Sequence, residues 1–475
     1  MLFNTLQFFV FFAIVFTLYL RLDHRWQNRL LLFASYIFYG TWSVKFLLLL
    51  LVSTILDYIC AQQMYRSQTL RRRKAFLCVS VCANLGLLGF FKYYNFFVGS
   101  LQDLFTRLWW GFTAPYLDII LPVGISFYTF QTMSYTIDIY RGTIKPAPDL
   151  FSFSLYVTFF PQLVAGPIER ADRLLPQVLQ PRTVTCERIY YGAFLIFWGL
   201  FQKVFVADNL ARIVDPVFAR AAPYNGVEVL VAVYAFTIQI FCDFAGYSNM
   251  ARGLGHCMGF ELMVNFRYPY FSSNPRELWQ RWHISLSTWI RDYLFKALGG
   301  YSKGSGRAVR NLLLSFFLAG LWHGANWTFI VWGVFHGFLL VLYMLLCPVL
   351  SRVPEPVNRM TASLWLGLRI IGFYHLWCLG ALVFRAQSIT QAWQMLSGLF
   401  FHFQPEMAAI CPILYDLVFY SWIIIAIQYL EFRSGDVDVM IHWPVWARTL
   451  FYFYCFYLLF MFGVQGGEQF YYFQF

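Results

Sequence analysis

The sequence predicts an all-α, polytopic integral membrane protein, and three observations carry that expectation. Of 475 residues, 60% are hydrophobic, 21% are aromatic and only 12% are charged, where soluble domains carry about 25% charged residues. Mean hydropathy is +0.57. Apolar stretches recur along the whole chain, near residues 3–20, 30–39, 46–61, 75–98, 119–137, 150–165, 190–207, 227–247, 311–322, 327–348, 364–384, 413–430 and 447–463. A water-soluble core cannot hide that much apolar surface, so lipid must cover it. No Ser/Gly-rich linker, repeat or low-complexity tract divides the chain. Residues 1–475 therefore read as one membrane-embedded domain, with N-terminal helices over 1–118 and a polar-motif-bearing part over 119–475.

A helix crossing ~30 Å of hydrocarbon needs about 20 residues. Several stretches are shorter or broken by Gly and Pro, which suits re-entrant pieces packed inside protein. The expected total is about ten to twelve spanning helices. Residues 1–20 hold no Lys or Arg, so the basic start of a signal peptide is absent and the segment reads as a retained first helix. RLDHRWQNR follows it. The chain then goes out and back through 30–61, with a break at Gly40, and reaches RSQTLRRRK at 66–74. Basic loops collect on the cytoplasmic side, which puts the N-terminus outside.

The same rule explains the net charge of +12 without nucleic acid. Lys92 and Lys203 lie near the ends of apolar segments and are expected to snorkel. The ten cysteines show no C-x-x-C or Cys/His zinc spacing, and no metal site is expected. Cys60, Cys78, Cys82, Cys242, Cys347, Cys378 and Cys455 sit in or beside apolar stretches, as reduced structural thiols. Cys78 and Cys82 share a helix face, read as packing.

The stretch NPRELWQRWHISLSTWIRDYLFKALGG, at 274–300, is different in kind. Asn274 suits an N-cap, Pro275 the first helical position and Glu277 a capping box. Gly299 and Gly300 are natural stops. One helix over this range puts Trp279, Trp282, Leu286, Trp289, Ile290 and Tyr293 in one sector. Arg276, Gln280, His283, Ser287 and Arg291 form a stripe beside it, and Arg281, Ser285, Thr288 and Asp292 complete the polar remainder. Such a helix lies at an interface or lines a wet cavity.

Eight histidines remain to be sorted. His24 and His442 fall in connections and read as surface residues. His336, His375 and His402 flank apolar segments and read as satisfied structural residues. His256 belongs to HCMGFE, a weak His-x4-Glu spacing. His323 stands out in LWHGANW, at 321–327, after the apolar run NLLLSFFLAG. An ionisable residue at membrane depth is a functional hypothesis by default. Gly320 and Gly324 flank it, and Asn326 at i+3 can orient the ring or bind a carbonyl oxygen. Read from the residues alone, catalysis and a structural role both stay open for His323. Asp243, one helical turn after Gln239, either fixes packing or lines the site. No G-x-S-x-G elbow or Walker A motif occurs. A buried histidine acting as general base on a hydroxyl is compatible with what is present.

Five stretches in order then carry a resemblance: PVGISFYTFQTMSYTIDIYRG (122–142), TFFPQLVAGPIER (158–170), DFAGYSNMARGLGHCMGF (243–260), ELWQRWHISLSTWIRDYLFKALGG (277–300) and LWHGANWTFIVWG (321–333). The chain resembles the membrane-bound O-acyltransferases, most closely the bacterial branch that contains the membrane subunit of alginate O-acetylation. The ending FYYFQF is similar to that branch too. Asn249, and Lys296 with Ala297, depart from its usual Asp and Ile-Pro.

The resemblance implies a ring of about eleven spanning helices, with re-entrant and interfacial helices round a thinned centre, in the bacterial cytoplasmic membrane. It implies acyl transfer from a thioester, with acetyl-CoA or another acyl thioester as co-substrate and no bound cofactor. The acceptor is a hydroxyl of an exopolysaccharide such as alginate, or a periplasmic partner protein that passes the acetyl on. His323 matches the family's essential histidine and His283 a second one. Trp279, Arg281, Ser287, Arg291, Asp292, Trp322, Asn326 and Asp243 are candidate contacts to donor or acceptor, with Asn326 or the Trp322 ring nitrogen set to hold the oxyanion. Rival readings are D-alanyl transfer in teichoic-acid modification, a transporter of an acylated carrier, and a scaffold for a soluble enzyme.

Overall fold

The computed structural model describes residues 1–109, 111, 113–164, 166–350, 352 and 358–464; the FYYFQF ending lies outside the described residues. The described residues contain helices and no strand. Eight helices among them are long and apolar enough to cross a membrane: Val44–Arg66, Leu70–Arg107, Cys186–Ala219, Gly226–Cys257, Trp327–Leu350, Arg359–Arg385, Ile410–Ser434 and Val445–Phe462. Leu6–Tyr19 is a shorter apolar helix.

Side-chain caps start the first three helices. Thr5, Asp23 and Ser43 each accept a hydrogen bond from a backbone N–H in the first turn that follows, at Phe8, Trp26 and Phe46, which satisfies a donor that has no helical partner. The predicted break at Gly40 is present: His24–Gly40 ends there and Val44–Arg66 begins after a three-residue turn.

The chain divides into two compact units. The first comprises Met1–Ile196 and Ser248–Met263, the second Phe197–Tyr247 and Val264–Phe475.

In the first unit, three helices share a polar network. Asp57 is 0% exposed. Its carboxylate accepts from Ser80 Oγ at 2.6 Å and from Asn84 Nδ2 at 3.0 and 2.9 Å, while Thr132 Oγ1 donates to Asn84 Oδ1 at 3.3 Å. Arg182 ties down the N-terminal helices. Its Nε donates to the Tyr19 hydroxyl at 2.8 Å, its Nη2 donates to Asn28 Oδ1 at 2.8 Å, and its guanidinium lies 4.4 Å over the Phe260 ring. Glu169 is fully buried. It accepts from the Met263 N–H at 2.5 Å, and burial still lifts its carboxyl to about 7. Cys78 and Cys82 are exposed on Leu70–Leu88, so they face outward and do not pack as expected; all ten cysteines are free thiols.

In the second unit a π-helical stretch, Phe201–Ala207, carries Lys203. The ammonium does not snorkel. It is buried between two carboxylates, 2.7 Å from Asp208 Oδ1 and 2.7 Å from Asp243 Oδ1. The i→i+5 geometry of a π-helix brings residues five apart onto one face, which is how Asp208 reaches its partner. Asp243 approaches from Gly226–Cys257.

Ser305–His323 and Trp327–Leu350 form an antiparallel hairpin that packs backbone to backbone. A Cβ on Gly320 would run into the Phe329 carbonyl, and one on Gly333 into that of Phe316. Small residues at such a crossing let helices approach closely in lipid.

Candidate functional site

The stretch 274–300 begins as its sequence predicts and then departs from it. Asn274 Oδ1 accepts from the Glu277 N–H at 3.0 Å, and the Glu277 carboxylate accepts from the Ser273 N–H at 2.9 Å. Instead of one helix, three pieces follow: Pro275–Arg281, Ile284–Trp289 and the π-helical Ile290–Phe295. The break falls at His283, which adopts φ 42 and ψ 54, a left-handed backbone for a residue with a side chain. Such a conformation costs about 1–3 kcal/mol and persists when its surroundings enforce it. Asn265 supplies that enforcement. Its carbonyl accepts from the Ile284 N–H at 2.9 Å and its side-chain oxygen from the Ser285 N–H at 3.2 Å. The Arg267 N–H donates to the Arg281 carbonyl at 3.0 Å. The predicted stripe of Arg276, Gln280, His283, Ser287 and Arg291 is therefore cut in two.

The break turns the His283 ring inward, where it is 1% exposed. Its ring centroid lies 4.6 Å from Phe244 at 89° and 5.9 Å from Trp322. Burial among these rings holds the imidazole down at about 3, from an ordinary 6.5, with a backbone hydrogen bond opposing.

His323 is the last residue of Ser305–His323 and is 3% exposed. Trp322, Trp332 and Phe384 surround it at 5.0, 4.8 and 5.3 Å between ring centroids. Trp322 thus touches both His283 and His323, so residues forty apart in the chain meet on one indole. Trp279 joins through Trp332, at 5.8 Å.

The other candidates have the following partners. Arg281 donates to the Phe271 carbonyl at 3.0 Å and lies 5.0 Å over the Tyr268 ring. Ser287 Oγ donates to the Trp282 carbonyl at 3.0 Å. Arg291 and Asp292 pair with each other at 2.9 Å, and Lys296 reaches Asp292 at 2.8 Å. Asn326 Nδ2 donates to the Gln387 carbonyl at 3.0 Å, and its Oδ1 accepts from the Thr328 N–H at 3.0 Å, at the start of the next helix. Asp243 is held by Lys203, and the next residue, Phe244, touches His283.

Sequence reasoning missed the ring wall. Trp332 and Phe384 lie within apolar stretches and carry no separate signal, and nothing in the sequence marks Asn265 as the residue that breaks a helix further along. His336 was expected to be satisfied. It is 0% exposed and ringed by Trp279, Trp332 and Trp377 at 5.4, 5.0 and 5.3 Å. Among the described residues neither of its ring nitrogens has a hydrogen-bond partner. Also among the described residues, no group of three or more His, Cys, Asp or Glu is placed to hold a metal ion.

Comparison with known proteins bears on this arrangement. The model of the membrane-bound O-acyltransferase family matches residues 143–376, a range that includes both His283 and His323. The chain is 40% identical over 395 residues to the probable alginate O-acetylase AlgI of Pseudomonas aeruginosa, covering 82% of this chain and 73% of the relative. It is 33% identical over 432 residues to the peptidoglycan O-acetyltransferase of Helicobacter pylori, covering 84% and 80%. It is 29% identical over 309 residues to the teichoic acid D-alanyltransferase of Bacillus subtilis, covering 61% and 76%.

Proposed function

Because the chain belongs to the membrane-bound O-acyltransferase family and is an O-acyltransferase, we propose that it moves an acetyl group from a cytoplasmic thioester to a hydroxyl of an exopolysaccharide of the alginate type, with His323 as general base. The acetyl assignment follows the relatives named as O-acetylases, which cover more of this chain than the D-alanyltransferase does. A periplasmic protein that passes the acetyl on is the alternative acceptor.

In this reading the acceptor oxygen attacks the thioester carbonyl carbon while His323 takes its proton. The tetrahedral oxyanion collapses, the carbon–sulfur bond breaks, and the proton passes from His323 to the leaving thiolate. A base of this kind works best with a pKa near the operating pH and contributes about 10²–10⁴-fold. His283, held at about 3 by burial, is a poor proton acceptor at neutral pH. Its part is to remain neutral and fix Trp322 against His323. Trp322 or Asn326 holds the oxyanion. Trp279, Arg281, Ser287, Arg291, Asp292 and Asp243 contribute to donor or acceptor binding or to the frame around it. Acetyl-CoA, or another acyl thioester, is the co-substrate.

The sidedness of the second unit supports this route. Lys303, Arg307 and Arg310 lie at the start of Ser305–His323, Arg352 and Arg359 where Trp327–Leu350 gives way to Arg359–Arg385, and Arg433 and Arg448 at the facing ends of the last two spans. Basic ends face the cytoplasm, so His323, at the opposite end of its helix, faces the acceptor. The same rule puts the N-terminus outside a bacterial cytoplasmic membrane.

The observation that carries the proposal is the meeting of His283 and His323 on the Trp322 indole. Purified protein in vesicles, given acetyl-labelled thioester and polymer, tests it. Label on the polymer is the expected result. Label that crosses the vesicle with its thioester bond intact would make the protein a carrier.

A further inference from the structure

We propose that a cleft in the second unit binds the headgroup of a phosphoethanolamine lipid. The cleft has a volume of about 370 Å³ and is lined from three helices, Asp208–Ala219, Gly226–Cys257 and Met407–Ser434. They contribute the C-terminal part of the span Cys186–Ala219, the N-terminal part of Gly226–Cys257 and the first half of Met407–Ser434, so the cleft lies toward one end of the spans. Ligand sites in proteins commonly occupy about 300–1,000 Å³.

Its charges are what select an occupant. Arg220 pairs with Glu228 along one side, so those two groups are already matched. Arg212 and Asp416 also line the cleft. Both are exposed, and neither forms a hydrogen bond or ion pair among the described residues. Arg212 and Asp416 share the cleft without pairing with each other, and charged groups on membrane-spanning helices call for something of opposite charge to meet them.

A ligand that answers both must carry an anion for Arg212 and an N–H-bearing cation for Asp416. A phosphate suits the planar guanidinium fork. A primary ammonium donates to a carboxylate, whereas a quaternary ammonium has no N–H to give, and a glycerol headgroup has no cation. Phosphoethanolamine therefore fits where phosphocholine and phosphoglycerol do not. Ile213, Val217, Ile410 and Ile413 offer the apolar surface beside it that a glycerol backbone and the first methylenes need. Nothing here depends on the acyltransfer chemistry.

Native mass spectrometry of the full-length protein in detergent, titrated with phosphatidylethanolamine, phosphatidylglycerol and phosphatidylcholine of matched chains, tests the site. The protein should retain the ethanolamine lipid about tenfold better than either of the others, the scale of one charge-assisted hydrogen bond. Asp416→Ala should erase that preference, and Arg212→Ala should lower retention of the ethanolamine lipid by about tenfold. Both side chains are exposed, so unchanged melting temperatures are expected and keep the readout specific. Equal retention of the three lipids, a preference for phosphatidylglycerol, or a preference that survives in both variants would overturn the proposal.

Discussion

In the first unit Asp57 is buried against neutral donors, the Ser80 hydroxyl and the Asn84 amide. The second unit buries Asp208 and Asp243 against a shared ammonium, Lys203. Both arrangements satisfy carboxylates at membrane depth, but they spread the work differently. The neutral network has several donors, so losing one leaves others in place. In the ion cluster Lys203 is shared, and its removal takes a cation from two buried anions at once. A lone buried charge is far more costly than a lost neutral hydrogen bond.

The largest effect should come from Lys203→Met. Breaking a buried ion pair costs about 3–5 kcal/mol, and here two carboxylates lose a shared ammonium. Loss of the cooperative melt in detergent, read by size-exclusion fluorescence, is the expected outcome. Adding Asp208→Asn and Asp243→Asn to Lys203→Met should restore much of the melt, because the two buried negative charges are gone. A single Lys203→Met variant that melts like wild type would dissolve the contrast between the units.

Ser80→Ala should cost less, about 1–3 kcal/mol for one unsatisfied buried contact, since Asn84 still donates twice to Asp57. The same melt checks it. A loss as large as that of Lys203→Met would mean the network has no redundancy.

Smallest over the range near neutrality, and opposite in sign, are the pH responses. In the fold Glu169 is raised from 4.5 to about 7, so its contribution is full below 4.5 and disappears as pH rises through about 7. His283 is lowered from 6.5 to about 3, so its contribution is full above 6.5 and is lost as pH falls toward 3. Hydrogen exchange should therefore quicken around Glu169 on the alkaline side and around His283 on the acid side. Glu169→Gln and His283→Gln should each flatten their own limb alone.

Part of this architecture is legible in the sequence. The spans follow from runs of apolar residues long enough for lipid, and Asn274 with Glu277 announced a helix start that is present. Both signals are local, and local chemistry decides them. The break at His283 is different: Asn265 takes the Ile284 and Ser285 N–H groups, and no periodicity within 274–300 records that distant demand. Lys203 misled for a related reason. It sits where a snorkelling lysine belongs, but its partners are reached through a π-helix and from a separate span. His323 stood out because its glycines and neighbours are contiguous in sequence, whereas Trp332 and Phe384 join it only through the packing of helices.

The central claim is that His323 takes the proton while His283 stays neutral behind Trp322. Acetyl transfer by purified His323→Ala and His283→Gln proteins, each shown to be folded and reconstituted in vesicles, tests it most directly. The account predicts a rate lower by about 10²–10⁴-fold for His323→Ala, and for His283→Gln a measurable rate with the pH dependence of wild type. A folded His323→Ala protein that acetylates polymer at the wild-type rate would contradict it.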